Sequence, residues 1–160
     1  MGRGMPESAT QHAARDPGTT LLALDYGVKR IGVAVGEAEL KSAHPLASIR
    51  ATGIDRRAAL DRLVKEWHPV RLVLGLPSRD DAMPHALAAR VRHFARELEA
   101  RYRLPVELVD ERYSSAEAEA RLREAGGARR AARASRDREI DSYAAQLLLQ
   151  QYYDERAAGR

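Results

Sequence analysis

Carboxylates occur at the ends of elements that could bring them together. Asp25 ends the first apolar run of the chain, and the adjacent Asp110 and Glu111 end a later one. Asp141 lies in the first turn of the predicted last helix. Crowded carboxylates repel one another, so one stays protonated unless a cation neutralises them. Mg²⁺ and Mn²⁺ prefer oxygen ligands and, in pairs typically about 3.5–4 Å apart, hydrolyse phosphodiester bonds. The predicted chemistry is metal-dependent phosphodiester hydrolysis.

Each acid also has a structural alternative. Asp25 could cap the following turn by bonding its own backbone, and Asp141 could complement the dipole of its helix. Asp110 could pair with Arg112. Together, at the ends of the right elements in one small domain, the acids favour a site. The five histidines show no metal-ligand spacing and are predicted to be structural or surface residues.

Two groups of cations could bind an acidic partner. Lys29 and Arg30 follow Asp25 and could bind phosphate. The segment from Arg121 to Arg138 carries seven arginines and two acids, a local charge of +5 in a chain of net charge +4. Such clustering predicts a nucleic-acid backbone as partner, and the alternative is a solvated charged loop. The arginines predicted to bind phosphate are Arg112, Arg129, Arg130 and Arg133.

Composition narrows the class of protein. The chain has 160 residues, of which 44% are hydrophobic, enough for one domain with its own core. It has no cysteine, which excludes disulfides, thiolate zinc sites and cysteine nucleophiles. No apolar run approaches the roughly 20 residues that cross a bilayer, and the N-terminus has no signal-peptide core. These features predict a cytoplasmic protein without a membrane partner.

Hydrophobic patterning predicts an α/β domain in which helices flank a mixed sheet of about five strands. The first two strands form a hairpin, and Gly27 is predicted to take a positive φ where the chain reverses. Residues 1–19 are predicted to be a disordered extension, residues 20–156 the folded domain and residues 157–160 a short tail. The predicted strands are Leu21–Asp25, Ile31–Val35, Leu46–Ile49, Arg71–Pro77 and Val106–Glu111. The predicted helices carry Leu60–Trp67, Leu87–Leu98, Ser114–Gly126 and Ile140–Leu148.

Four motifs, in this order, resemble the YqgF/RuvX family, a branch of the ribonuclease-H-like fold related to the RuvC Holliday-junction resolvases. The likeness runs from about Leu21 to Asp154. The motifs are Asp25–Ala34, Gly75-Leu76-Pro77, Asp110-Glu111-Arg112 and Ile140–Ala145.

The resemblance implies a metal-dependent nuclease that processes the 5′ end of pre-16S ribosomal RNA. It carries the catalytic acids over to Asp25, the Asp110-Glu111 pair and Asp141, with Mg²⁺ or Mn²⁺ on Asp25, Glu111 and Asp141. Within the pair, Glu111 is favoured because the family's motif is drawn as a catalytic Glu beside a supporting Asp. Strand alternation sends the two side chains to opposite faces, so only one is expected to reach the metal.

The chain departs from the family's pattern at several positions. Ser78–Pro84 replaces a common Gly-Ser element, and Tyr113 stands where Leu is usual. RuvC proteins carry an acid where this chain has Gly75, so their chemistry cannot be copied directly.

Three other functions remain open. Branched DNA as the substrate would require a homodimer for two symmetric cuts, whereas an RNA nuclease could act as a monomer. A non-catalytic nucleic-acid-binding module is a further alternative. An actin-like or sugar-kinase ATPase also begins with an Asp-x-Gly turn, but 160 residues leave no room for its two lobes.

Overall fold

Two apolar runs joined by a short polar turn form the hairpin on which the sheet is built. In a computed structural model that describes residues 18–27, 29–50, 53–76, 84–111, 120 and 133–159, β1 is Thr20–Tyr26 and β2 is Arg30–Glu37. The amide of Gly27 donates to the carbonyl of Arg30 at 2.9 Å. The prediction of a positive φ at Gly27 is wrong, because this residue lies outside the left-handed region. Glycine is needed for space: a Cβ there would lie 2.6 Å from the Arg30 oxygen.

Three further strands extend the hairpin into a mixed sheet of order β3-β2-β1-β4-β5. The strands are β3, His44–Arg50; β4, Arg71–Leu76; and β5, Val106–Asp110. The hairpin and the β2–β3 pair are antiparallel, whereas β1, β4 and β5 run parallel. The predicted five-stranded mixed sheet is therefore confirmed. The carboxyl ends of the three parallel strands meet at one edge, where ligands collect in open α/β sheets.

Helices cover both faces of the sheet. They are α1, Ile54–Trp67; α2, Pro84–Tyr102; and α3, Arg133–Ala157. Side chains alternate along β1, so Leu22 and Leu24 pack with α1 and α2, while Leu21 and Ala23 pack with α3. Asp25 continues the second series and lies on the α3 face.

The last helix is longer than its apolar pattern predicts. It begins at Arg133, so Asp141 is the ninth residue of α3 and not part of its first turn. Helix-dipole effects fall off within the first turn. The alternative in which Asp141 complements the helix dipole is therefore wrong.

Some predicted elements cannot be compared with the structure. The extension before Gly18, residues 78–83 and most of the helix predicted from Ser114 to Gly126 lie outside the described residues. Among the helices of the described ranges, none combines the length and apolar character that a bilayer crossing requires.

Candidate active site

A row of small and polar residues crosses the sheet at the carboxyl end of β1. Asp25 pairs with Gly32 of β2, and Gly32 pairs with Ser48 of β3. On the other side of β1, Leu24 pairs with Leu74, so Gly75 is the next residue along β4. Two glycines therefore flank Asp25, and both open space on its α3 face.

Gly75 provides the space in which Glu111 approaches Asp25. Glu111 follows β5 directly, and its amide donates to the carbonyl of Leu76 at 2.8 Å. A Cβ added at Gly75 would lie 3.8 Å from Cδ of Glu111. The Asp25 and Glu111 carboxyl groups hydrogen-bond to each other although β4 separates their strands. Gly75 therefore lies directly beside the Glu111 carboxyl group, with room for no more than an ordinary contact between them.

Gly32 brings α3 onto the opposite side of Asp25. A Cβ at Gly32 would lie 1.8 Å from the backbone oxygen of Asp141, so the helix touches the sheet there without an intervening side chain. The carboxylate of Asp141 is anchored by two donors. Nε of Arg30 lies 2.6 Å and Oγ of Ser48 lies 2.8 Å from its Oδ2 atom.

The electrostatics of Asp25 reflect this crowding. Part of its surface is accessible, but the surrounding protein desolvates its carboxyl group and raises its pKa above the usual value. The hydrogen bond with Glu111 lowers that pKa in part, and the negative charge of Asp141 raises it. Two carboxyl groups can share a hydrogen bond only when one carries a proton. The site therefore holds more negative charge than it neutralises, and a proton or a cation must balance it.

The carboxylate oxygens of the site suit a hard divalent cation as ligands, but the acids that carry them lie in two separate groups. Asp25 and Glu111 meet, whereas Asp141 is tied to Arg30 and Ser48 beside them. Across the residues that the structure describes, no three His, Cys, Asp or Glu side chains are grouped as a ready metal site. Carboxylate oxygens are the ligands that Mg²⁺ and Mn²⁺ prefer, and three carboxyl groups lie near one another here. The ligand types of Asp25, Glu111 and Asp141 are therefore those that Mg²⁺ or Mn²⁺ requires.

Of the adjacent acids, the structure brings Glu111 to Asp25 and leaves Asp110 apart. The side chain of Asp110 is exposed, and its backbone oxygen accepts a hydrogen bond from Nε2 of Gln151 at 2.5 Å. That only one of the two acids reaches the metal stays a prediction.

The predicted phosphate-binding cations are distributed differently. Lys29 is exposed on the turn after β1, whereas Arg30 is paired with Asp141 and lies 3.9 Å from Asp137. Arg133 is the first residue of α3. The remaining three lie outside the described residues: Arg112, Arg129 and Arg130.

Ser48 is the residue of this site that the sequence did not suggest. It lies within the predicted third strand, but its contact with Asp141 spans 93 positions of the chain. A single Ser within a strand has no sequence pattern that indicates a functional role. Only the β2–β3 register, which pairs it with Gly32, brings it to Asp141.

The sheet order, the flanking helices and the acids at one strand edge define a ribonuclease-H-like α/β domain. RuvC from T. thermophilus, solved in complex with a Holliday junction substrate, shares this fold with a TM-score of 0.53. The match covers 88% of this chain and 96% of the RuvC chain at 13% sequence identity.

Sequence comparison identifies the family. The sequence profile of RuvX, described as a Holliday junction resolvase, matches residues 19–155. A Dechloromonas aromatica (strain RCB) protein named "Putative pre-16S rRNA nuclease" is 47% identical over 136 residues, 84% of this chain and 90% of that protein. A protein of the same name from Methylobacillus flagellatus is 46% identical over 151 residues, 94% of this chain and 97% of that protein. The chain belongs to the RuvX family, as its four motifs indicated.

Proposed function

We propose that this protein is a metal-dependent nuclease that hydrolyses phosphodiester bonds of pre-16S ribosomal RNA near its 5′ end, in the cytoplasm. The observation that carries the proposal is the Asp25–Glu111 carboxyl pair, joined across Gly75 and flanked by Asp141. The names of relatives that are 46–47% identical over most of the chain support the RNA substrate.

The acids would share the work of holding the ion. Asp25, Glu111 and Asp141 would bind Mg²⁺ or Mn²⁺, which supplies an activated water and stabilises charge on the leaving oxygen. The hydrogen bond with Glu111 keeps the two carboxyl groups together, and burial raises the pKa of Asp25, which favours a proton on this carboxyl group in the absence of a cation. Packing of α3 against Gly32 keeps Asp141 beside this pair.

Exposed cations near the site would hold the substrate. Lys29 lies on the turn directly after β1 and is free of described ion pairs, so its ammonium group can reach a phosphate. The guanidinium of Arg30 is bound to Asp141 through Nε, which supports a role in holding this carboxylate. The arginines before and at the start of α3 would extend the contact along the RNA backbone.

Branched DNA is the second candidate substrate. The family description and the RuvC fold favour it, since RuvC was solved with a Holliday junction. Symmetric cutting of a junction requires two sites and hence a homodimer. RNA is the preferred substrate because the named relatives share far more sequence with this chain than RuvC does.

Cleavage of both substrates by matched variants tests the proposal. Pre-16S RNA and a four-way DNA junction are incubated with wild type, Asp25→Asn or Glu111→Gln in Mg²⁺, Mn²⁺ or EDTA. Both variants and EDTA should abolish cutting of the RNA. Asp110→Asn, which removes the exposed neighbouring charge, should cut at the wild-type rate. If Asp25→Asn cuts as fast as wild type, the assignment of the active site is wrong. If the wild type cuts the DNA junction and not the RNA, branched DNA is the substrate.

A further inference from the structure

The two oxygens of the Asp141 carboxylate have different environments. Oδ2 accepts hydrogen bonds from Arg30 of β2 and Ser48 of β3, at 2.6 and 2.8 Å. Within the described ranges, no residue donates a hydrogen bond to Oδ1. The side chain is only 20% exposed, so bulk water does not supply many partners either. Of the residues that the structure describes, two therefore hold one oxygen of this carboxylate and none holds the other.

The backbone beneath this carboxylate is also fixed. Gly32 lets the backbone of Asp141 touch β2, and Gly32 pairs with Ser48 in the adjacent strand. The hydroxyl of Ser48 thus lies next to the point where α3 meets the sheet. Backbone contact and side-chain hydrogen bonds together leave the Asp141 carboxylate little freedom to rotate.

Arg30 is itself held in place by α3. Its guanidinium bonds Asp141 through Nε and lies 3.9 Å from Asp137, one turn earlier on the same helix. An arginine bound to a carboxylate commonly donates two parallel hydrogen bonds to its two oxygens. Here Nε bonds Oδ2, the atom that Ser48 also binds, and this arrangement spares Oδ1.

We propose that Arg30 and Ser48 are positioning residues that reserve Oδ1 of Asp141 for a divalent cation. This inference rests on the metal-dependent function proposed above. Hydrogen-bond partners of metal ligands fix the orientation of the ligand, and their loss typically costs 10–100-fold in metal affinity. Ser48 is the sharper test of the two, because it carries no charge that would itself attract or repel the ion.

Two β-branched replacements of Ser48 separate the hydroxyl from the shape of the side chain. Ser48→Thr keeps the hydroxyl. Ser48→Val introduces a side chain of nearly the same volume as Thr but without a hydroxyl, and both replacements suit a strand. Mn²⁺ binding to the full-length protein is measured by isothermal titration calorimetry, with urea unfolding to verify the fold. We expect Ser48→Val to bind Mn²⁺ about tenfold more weakly than wild type, and Ser48→Thr to restore binding to within about twofold.

Two further variants complete the experiment. Arg30→Lys keeps the charge but lacks the guanidinium geometry, so it should also weaken Mn²⁺ binding about tenfold. Ser142→Ala is the control: its hydroxyl, one residue from Asp141, donates to the backbone oxygen of Glu139 and not to the carboxylate. This variant should bind Mn²⁺ as wild type does.

The outcomes separate this inference from the proposed function. Equal Mn²⁺ affinity in the Thr and Val variants overturns the positioning role, even if the wild type cleaves RNA. If Ser48→Val binds Mn²⁺ more weakly but the wild type cleaves no RNA, the positioning role is supported and the proposed RNA nuclease function is overturned. Absence of Mn²⁺ binding to the wild type at millimolar concentration overturns both.

Discussion

Glu111 and Asp25 hydrogen-bond across an intervening strand, β4, whose Gly75 lies beside Glu111. Asp25 lies in β1 and Glu111 directly after β5, 86 positions later in the sequence, and the parallel register of three strands brings them level. Substitution of Gly75 gives the first prediction.

Gly75→Ala should lower stability slightly and leave the site in place. The new Cβ would lie 3.2 Å from a terminal methyl of Leu148, which can yield, and 3.8 Å from the Glu111 carboxyl carbon, which is an ordinary contact. We expect a stability loss of about 1 kcal/mol, at the low end for overpacking. RNA cleavage should stay close to the wild-type rate. Urea unfolding and single-turnover cleavage measure the two effects, and a large loss of cleavage would contradict the position of Glu111 beside Gly75.

Gly32→Ala should destabilise the fold more than Gly75→Ala does. A Cβ there meets the backbone oxygen of Asp141 at 1.8 Å, and a backbone atom cannot rotate away. The helix must shift, so the loss of stability should reach about 3 kcal/mol, at the upper end for overpacking. The midpoints of urea unfolding for Gly32→Ala and Gly75→Ala give the comparison. Equal midpoints would contradict the close contact between α3 and β2.

The contact between α1 and α2 should make stability depend on acid pH. Arg101 and Tyr102 donate hydrogen bonds to the carboxylate of Asp61, which lowers the pKa of Asp61 to about 2 from its usual 3.8. A carboxyl with a depressed pKa in the folded state contributes stability that is present above pH 3.8 and is lost as the pH falls toward 2.

Asp61→Asn removes this titration. Its unfolding midpoint should fall less steeply than that of the wild type between pH 4 and pH 2, because Asn keeps its hydrogen-bonding ability without a proton to gain. Urea titrations at several pH values measure the difference. Parallel curves for the two proteins would mean that Asp61 does not contribute to the acid sensitivity.

The basic segment before α3 should control the salt dependence of RNA binding. Each phosphate contact contributes a slope of about 0.7 in log K against log salt for single strands, so replacing Arg129, Arg130 and Arg133 with Gln should reduce the slope by about 2. Fluorescence anisotropy at several salt concentrations gives the slope. Arg156→Gln, at the far end of α3 and paired with Glu107, is the control and should leave the slope unchanged. An unaltered slope in the triple variant would mean that these arginines do not contact the RNA backbone.

Most of the architecture could be predicted from local patterns. The apolar runs of β1, β2 and β4 and the helical spacing of α1 and α2 correspond to elements of the structure, although α1 begins at Ile54, before the predicted stretch. These elements bury one face or two, so their apolar periodicity is strong. The acids at the ends of the first and last strands followed from the same reasoning.

The predicted start of α3 is wrong because the first turns of this helix carry no apolar period. Residues 133–139 are mostly arginine, acid and alanine; arginine, glutamate and alanine favour a helix, but the segment has no apolar stripe. The apolar pattern begins only where the helix reaches the sheet. The predicted boundary therefore marked the point of packing and not the beginning of the helix.

The partners within the site could not be predicted because they depend on sheet order. Arg30 follows Lys29 in the sequence and is predicted to bind phosphate as Lys29 is, but its partner Asp141 is 111 positions away. The functions of Gly75 and Ser48 likewise emerge only when strands distant in sequence lie side by side. Local sequence identifies candidate ligands, whereas the residues that orient them require the tertiary structure.

The most direct measurement of the central claim is a crystal structure of the protein grown with Mn²⁺, with anomalous diffraction locating the ion. We predict an anomalous peak bonded to carboxylate oxygens of Asp25 and Glu111, with Oδ1 of Asp141 as a further ligand. A peak elsewhere on the protein, or none beside Asp25 at a Mn²⁺ concentration that supports RNA cleavage, would contradict the account.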